Sequence, residues 1–133
     1  MTTFPTYQVD TFTGSLFTGN PAAVCPLGAW LDDATLQAIA AENNLAETAF
    51  FVEGEAGADF ALRWFTPTAE VDLCGHATLA SAFVVFNRLS PQAQSVSFSS
   101  RSGVLIVSKV GDVLALDFPA LPAVPCDMPT ALA

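Results

Sequence analysis

Cys74-Gly75-His76-Ala77-Thr78 opens a long apolar stretch and is the densest group of chemically useful residues in the chain. If it begins a helix, its first backbone N–H groups have no intrahelical partner and lie at the positive end of the dipole. Such a terminus attracts a carboxylate or another anion. Gly75 lets a ligand approach the backbone closely, and His76 there suits hydrogen bonding or proton shuttling. The plainer reading is that Gly75 eases a turn and His76 packs under a sheet. Cys74 also has two readings. A thiol beside a helix N-terminus is drawn toward the reactive thiolate, whereas most free cysteines are small buried hydrophobes. Cys25 and Cys126 lack that context and read as packing residues.

Glu47 is the second candidate. It opens the apolar run Glu47 to Val52, so it either points to solvent or sits at the mouth of the core. A half-buried carboxylate in the second place is a proton carrier. Residue type alone favours the solvated reading, because acids are mostly exposed.

These residues need elements to position them. Thr6 to Phe12 reads as a strand bounded by Pro5 and Gly14, and a polar turn from Thr13 to Asn20 follows. Ala22 to Cys25 is a short apolar run opened by Pro21. Asp32 or Asp33 caps a helix that places Leu36, Ile39 and Ala40 on one face and stops at Asn43-Asn44. Glu47 to Val52 and Phe60 to Phe65 are strands joined by an acidic loop holding Gly54 and Gly57. Gly75 to Asn87 is apolar on nearly every side and too short to span a membrane, which predicts a central helix wrapped by sheet. Ser95 to Phe98, Val104 to Val110 and Val113 to Phe118 are three more strands, the last two joined at Gly111-Asp112. Residues 119–133 carry Pro119, Pro122, Pro125 and Pro129 and read as a linker or tail.

Composition narrows the function classes. The chain has 133 residues, 52% of them apolar and only 13% charged, which excludes a disordered chain. Eleven Phe, two Trp and one Tyr supply large side chains for a core. Thirteen acids against four bases leave a net charge of −9, so there is no basic footprint for nucleic acid or anionic membrane. Three widely spaced cysteines without a C-x-x-C pair argue against a disulfide scaffold and a structural zinc site. The N-terminus lacks the basic and apolar regions of a signal peptide, and a cytoplasmic location is expected.

Five segments occur together in a known order. They are Val9-Asp10-Thr11-Phe12, Gly19-Asn20-Pro21-Ala22-Ala23-Val24, Asn44-Leu45-Ala46-Glu47-Thr48-Ala49-Phe50, Arg63-Trp64-Phe65-Thr66-Pro67 and Leu73-Cys74-Gly75-His76-Ala77-Thr78-Leu79-Ala80. From about Phe4 to Phe118 the chain resembles the N-terminal half of the PhzF-like proteins, named after a phenazine-biosynthesis isomerase. The resemblance implies an α+β, diaminopimelate-epimerase-like half: a mixed, mainly antiparallel sheet curled around a central buried helix. It implies an active site in a cleft between two such halves, with no metal and no organic cofactor.

The resemblance also implies residue roles. Glu47 falls on the family's catalytic acid/base. Gly75, His76, Ala77 and Thr78 match its carboxylate cradle, with His76 lining the site, and Asn20 also faces the cleft. Cys74 is similar in placement to the cysteine base of related epimerases and racemases, and ranks below Glu47. The expected activity is proton transfer on a small carboxylate-bearing metabolite.

PhzF-like proteins run to roughly twice this length, two domains by the usual size rule. Residues 1–118 would be one half, and the second domain is expected to be absent. The expectation is therefore a homodimer that rebuilds the two-domain shape, or a fragment. The alternative, from a different class, is a non-catalytic half-domain that only dimerises or binds a partner.

Overall fold

The computed structural model describes residues 2–55 and 57–132. Met1, Ala56 and Ala133, at the N-terminus, in the loop holding Gly54 and Gly57 and in the tail, lie outside the described residues. Eight strands form one sheet: β1 (Tyr7–Thr11), β2 (Asn20–Pro26), β3 (Glu47–Glu53), β4 (Phe60–Phe65), β5 (Glu70–Val71), β6 (Ser95–Ser100), β7 (Gly103–Val110) and β8 (Val113–Asp117). Their order is β1-β2-β3-β4-β6-β7-β8, with β5 paired to β4. The pairs β2–β3 and β4–β6 are parallel and the rest antiparallel. Each parallel pair is bridged by a helix, α1 (Asp33–Asn43) for the first and α2 (Gly75–Val84) for the second.

The two helices lie on opposite faces. Strand direction reverses between β3 and β4 while the chain keeps moving the same way across the sheet. Crossovers of one hand must therefore put their helices on opposite sides. Leu36 and Ala40 of α1 pack with Cys25, Phe50, Val52 and Phe65 on the outer face. On the inner face, Ala77, Ala80 and Ala82 of α2 pack with Val24, Phe51, Trp64, Phe98 and Val107. Both edge strands, β1 and β8, contact α2. The sheet thus curls around its own crossover helix, as the all-apolar stretch predicts.

Local chemistry sets the helix ends. Asp32 is the N-cap of α1, accepting from the Thr35 backbone N–H at 2.9 Å and from its hydroxyl at 2.7 Å. Asn44 ends α1 in the left-handed region at φ 51° and donates its N–H to the Ala40 carbonyl. Helix α2 stops being α-helical three residues earlier than the apolar pattern suggests and widens into a π-helical turn over Val85–Leu89. The Asn87 side-chain amide donates to the Phe83 carbonyl at 2.8 Å, taking the acceptor that an α-helical Asn87 N–H would use. Beyond β8, the described part of the tail is exposed and carries one 3-10 turn, Thr130–Leu132.

The short β5 has no sequence periodicity, and ion pairs hold it. Arg63 on β4 makes a bidentate pair with Glu70, both bonds at 2.8 Å, and reaches Asp33 at 3.0 Å. Arg101, in the β6–β7 turn, meets the same Glu70 at 2.9 Å and Asp72 at 3.4 Å. The Ser102 hydroxyl donates to the Asp72 carbonyl at 2.7 Å. The segment entering α2 is thereby tied to two strands.

That network predicts an acid-labile fold. Hydrogen bonds from Arg63 hold the Glu70 carboxyl below its ordinary value of 4.5, with Arg101 adding to the effect. A carboxyl lowered in the folded state contributes stability above its unfolded value and loses it as pH falls through the folded one. Urea midpoints should therefore drop as pH is lowered below 4.5, and Glu70→Gln should flatten that part of the curve. An unchanged slope in the variant would remove Glu70 from the acid response.

Candidate active site

Glu47 is the first residue of β3, and strand alternation puts it on the inner face with Ala49 and Phe51. It therefore sits at the mouth of the core, its side chain 20% exposed. The N-terminus of α2 emerges at the same place. His76 Nε2 lies 3.3 Å from Glu47 Oε2. Both atoms are buried, and neither makes a hydrogen bond. On the other side of the ring, His76 Nδ1 lies 3.3 Å from Cys74 Sγ.

The surroundings of Cys74 disfavour its thiolate. Burial pushes its pKa up to about 11, and the adjacent Glu47 carboxylate adds to the rise. The backbone amides of Ala77 and His76 oppose this only in part. Desolvation thus weighs against the thiolate reading based on the helix terminus. The tautomer of the His76 ring sets which of Sγ and Nδ1 donates in this contact.

The rest of the expected site divides. Asn20 opens β2, and parallel β2–β3 pairing sets Ala22 opposite Glu47. Asn20 is therefore one strand away, on the same face and at the same end of the sheet. Thr78 is fully buried, and its hydroxyl donates to the Cys74 carbonyl at 2.7 Å, so its side chain closes the first helical turn. Ala77 is fully buried too and offers only its backbone. Cys74, the N-cap, makes no side-chain hydrogen bond that closes the helix end, although the Ala77 and His76 amides act on its sulfur.

Two neighbours have no local sequence signal. A methyl group added at Gly75 would come within 3.3 Å of the Phe118 ring. The end of β8 therefore lies over the helix N-terminus, a contact made only when the sheet curls closed. Phe12 and Phe17, in the turn before Asn20, hold left-handed backbone at φ 60° and 64°. Asp10 accepts from the Phe17 N–H at 2.8 Å, and the two rings are 72% and 95% exposed.

Among the described residues, one group gathers three possible metal donors. Glu47, Cys74 and His76 each place a ligand atom within 4.8 Å of the others. No described helix is long and apolar enough to cross a membrane.

The chain is similar to known proteins over nearly all of its length. It is 60% identical over 126 residues to an uncharacterized isomerase of Pseudomonas aeruginosa, covering 95% of this chain and 48% of that protein. It is 46% identical over 129 residues to the human phenazine biosynthesis-like domain-containing protein, covering 92% and 45%. A crystal structure of a PhzF-family protein of Enterococcus faecalis superposes with a TM-score of 0.81 at 51% identity, covering 92% of this chain and 48% of that one. The crystal structure of a putative phenazine biosynthesis PhzC/PhzF protein from Clostridium difficile gives 0.84 at 42%, covering 96% and 49%. A hydroxyproline epimerase of Agrobacterium vitis, 10% identical with a TM-score of 0.52, shares the fold alone. The chain spans about half the length of the relatives it matches. The phenazine biosynthesis-like protein family, PhzC-PhzF, matches residues 9–127, and the chain belongs to that family.

Proposed function

We propose that this chain is an isomerase or epimerase module that moves a proton on a small carboxylate-bearing metabolite, with Glu47 as the acid/base. The observation that carries this is the placement of Glu47 Oε2 beside His76 Nε2, both buried and unpartnered, at a helix N-terminus without a side-chain cap. The substrate carboxylate would lie on the N–H groups of Gly75, His76 and Ala77. Glu47 would take the proton from the neighbouring carbon as the C–H electron pair moves into the carboxylate. The helix terminus would stabilise that charge, and Glu47 would return the proton to the same or another carbon. His76 orients the carboxylate of Glu47, and Asn20 lines the same edge. These steps call on no metal and no organic cofactor.

The raised Cys74 pKa supports Glu47 over a thiol base. Relatives described as isomerases support the reaction class.

One wall of a cleft open to water gives weak electrostatic help. The Phe12 and Phe17 rings, in the turn that leads into Asn20, are exposed apolar groups suited to being covered. We infer that a second half completes the site, supplied by a second copy of the chain in a homodimer when no longer polypeptide carries it.

Light scattering after size exclusion should give about 28 kDa, twice the 13.9 kDa of the chain. A clean monomer would favour the reading as a non-catalytic half-domain. In deuterated water, the completed protein should exchange a substrate C–H, and Glu47→Gln should slow that exchange by about 10²–10⁴-fold. Undiminished exchange in a folded variant would take Glu47 out of the reaction. Exchange that survives alkylation of Cys74 would dismiss a thiol base.

A further inference from the structure

We propose that the groove between β1 and β8 receives the proline-rich tail of a second copy of the chain. The contact rests on the homodimer inferred above and names what joins its two copies; Glu47 plays no part in it. Helix α2 is apolar on nearly every side, yet its enclosure is incomplete. Leu79 and Phe83, one turn apart, are not buried, and Phe83 is 48% exposed. They floor a groove of about 480 Å³ whose walls come from the end of β1 and the start of β8. Those strands are the two ends of the strand order, so each wall is an unpaired sheet edge. Phe12 adds a second aromatic ring to the lining. The volume falls within the roughly 300–1,000 Å³ of ligand sites and is far larger than a packing defect.

The tail has the chemistry to fill it. Pro119, Pro122 and Pro125 recur every third residue, the period of a polyproline II helix. They therefore form one edge, and Leu121 and Val124 share another. P-x-x-P segments of this kind dock in aromatic-lined grooves, because the chain is already extended and loses little entropy on binding. Leu121 and Val124 are 80% and 79% exposed. Each chain thus offers both an uncovered apolar edge and an uncovered apolar groove. Proline has no N–H for a ladder, so the tail fits as a packed strap and not as a ninth strand.

Charge and position select a second copy. Asp10 and Asp112 line the groove, in a chain with thirteen acids and four bases. Residues 118–126 carry no charge, so they can enter without like-charge repulsion. Within one copy, residues 119–132 are exposed and none of them lines the groove. One tail and one groove per chain can be exchanged reciprocally about a two-fold axis, which closes the assembly at two copies.

Light scattering of the full chain over a concentration series tests the exchange. Leu121→Asp combined with Val124→Asp changes only exposed tail residues and sets acids against Asp10 and Asp112. The pair should raise the dimer dissociation constant at least about tenfold. Phe83→Ser should also weaken the dimer, while Glu42→Ser, at an exposed position of α1, should leave it unchanged. A long-spacer bis-maleimide should bridge Cys126, exposed in the tail, to a thiol introduced by Asp112→Cys. Cys126 stands two residues past Val124, about 6 Å along a polyproline II helix. In a mixture of isotope-labelled and unlabelled protein, peptide masses should show that this bridge joins two different chains. A dimer left intact by the paired tail substitution or by Phe83→Ser overturns the tail exchange and leaves the homodimer standing. A bridge formed only within one chain means that the tail fills its own groove, and it overturns the second copy as occupant. A wild-type chain that stays a monomer overturns both the exchange and the homodimer, and the proton-transfer role of Glu47 is still decided by deuterium exchange.

Discussion

A helix with no polar face cannot rest on a sheet; it has to be enclosed by one, and most of this structure follows from enclosing α2. Small residues on the helix, Ala77, Ala80, Ser81 and Ala82, allow strands to approach from several directions. Phe51, Trp64 and Phe98 fill what remains on the inner face, as the unusual count of phenylalanines requires. Both sheet edges must then reach the helix, so β1 and β8 converge on it although they are the farthest strands in the order. Alternation along each strand does the rest. The outward residues of β2, β3 and β4 make a second, smaller core under α1.

Enclosure also creates the site. A buried helix brings its N-terminus out only where strands end, and here it emerges beside the first residue of β3. The start of α2, the His76 ring and the Glu47 carboxylate therefore meet at one largely buried place. Desolvation acts in the same place on Cys74, and it outweighs the pull of the helix terminus toward thiolate. Charge is used sparingly around this point. Two of the four basic residues, Arg63 and Arg101, tie Glu70 and Asp72 to the sheet just before the helix begins. They fix where α2 starts and stay out of the pocket.

The chain spans about half the length of its relatives, and the turn that leads into Asn20 holds two exposed aromatic residues on left-handed backbone, Phe12 and Phe17. Holding such residues in that region costs about 1–3 kcal/mol each. The Asp10 hydrogen bond to Phe17 offsets part of this and holds the turn in place.

Much of this was legible in the residues themselves. The Asp32 cap, the Asn44 stop, the strand runs and the enclosed helix each depend on neighbours within a few positions, so local pattern sufficed to read them. The five ordered motifs likewise carried the family. Other features were set by distant partners. β5 exists because Arg63 and Arg101 converge on Glu70, and Phe118 lies over Gly75 because the sheet closes. For Glu47, composition alone favoured a solvated acid; β3 register turned it inward to His76. The sequence by itself determined which segments are apolar, where the helices begin and end, and which residues could do chemistry, because each follows from a side chain and its near neighbours. Tertiary structure decided which of those residues meet and how far each is buried, because proximity and desolvation belong to the folded enclosure rather than to any one residue.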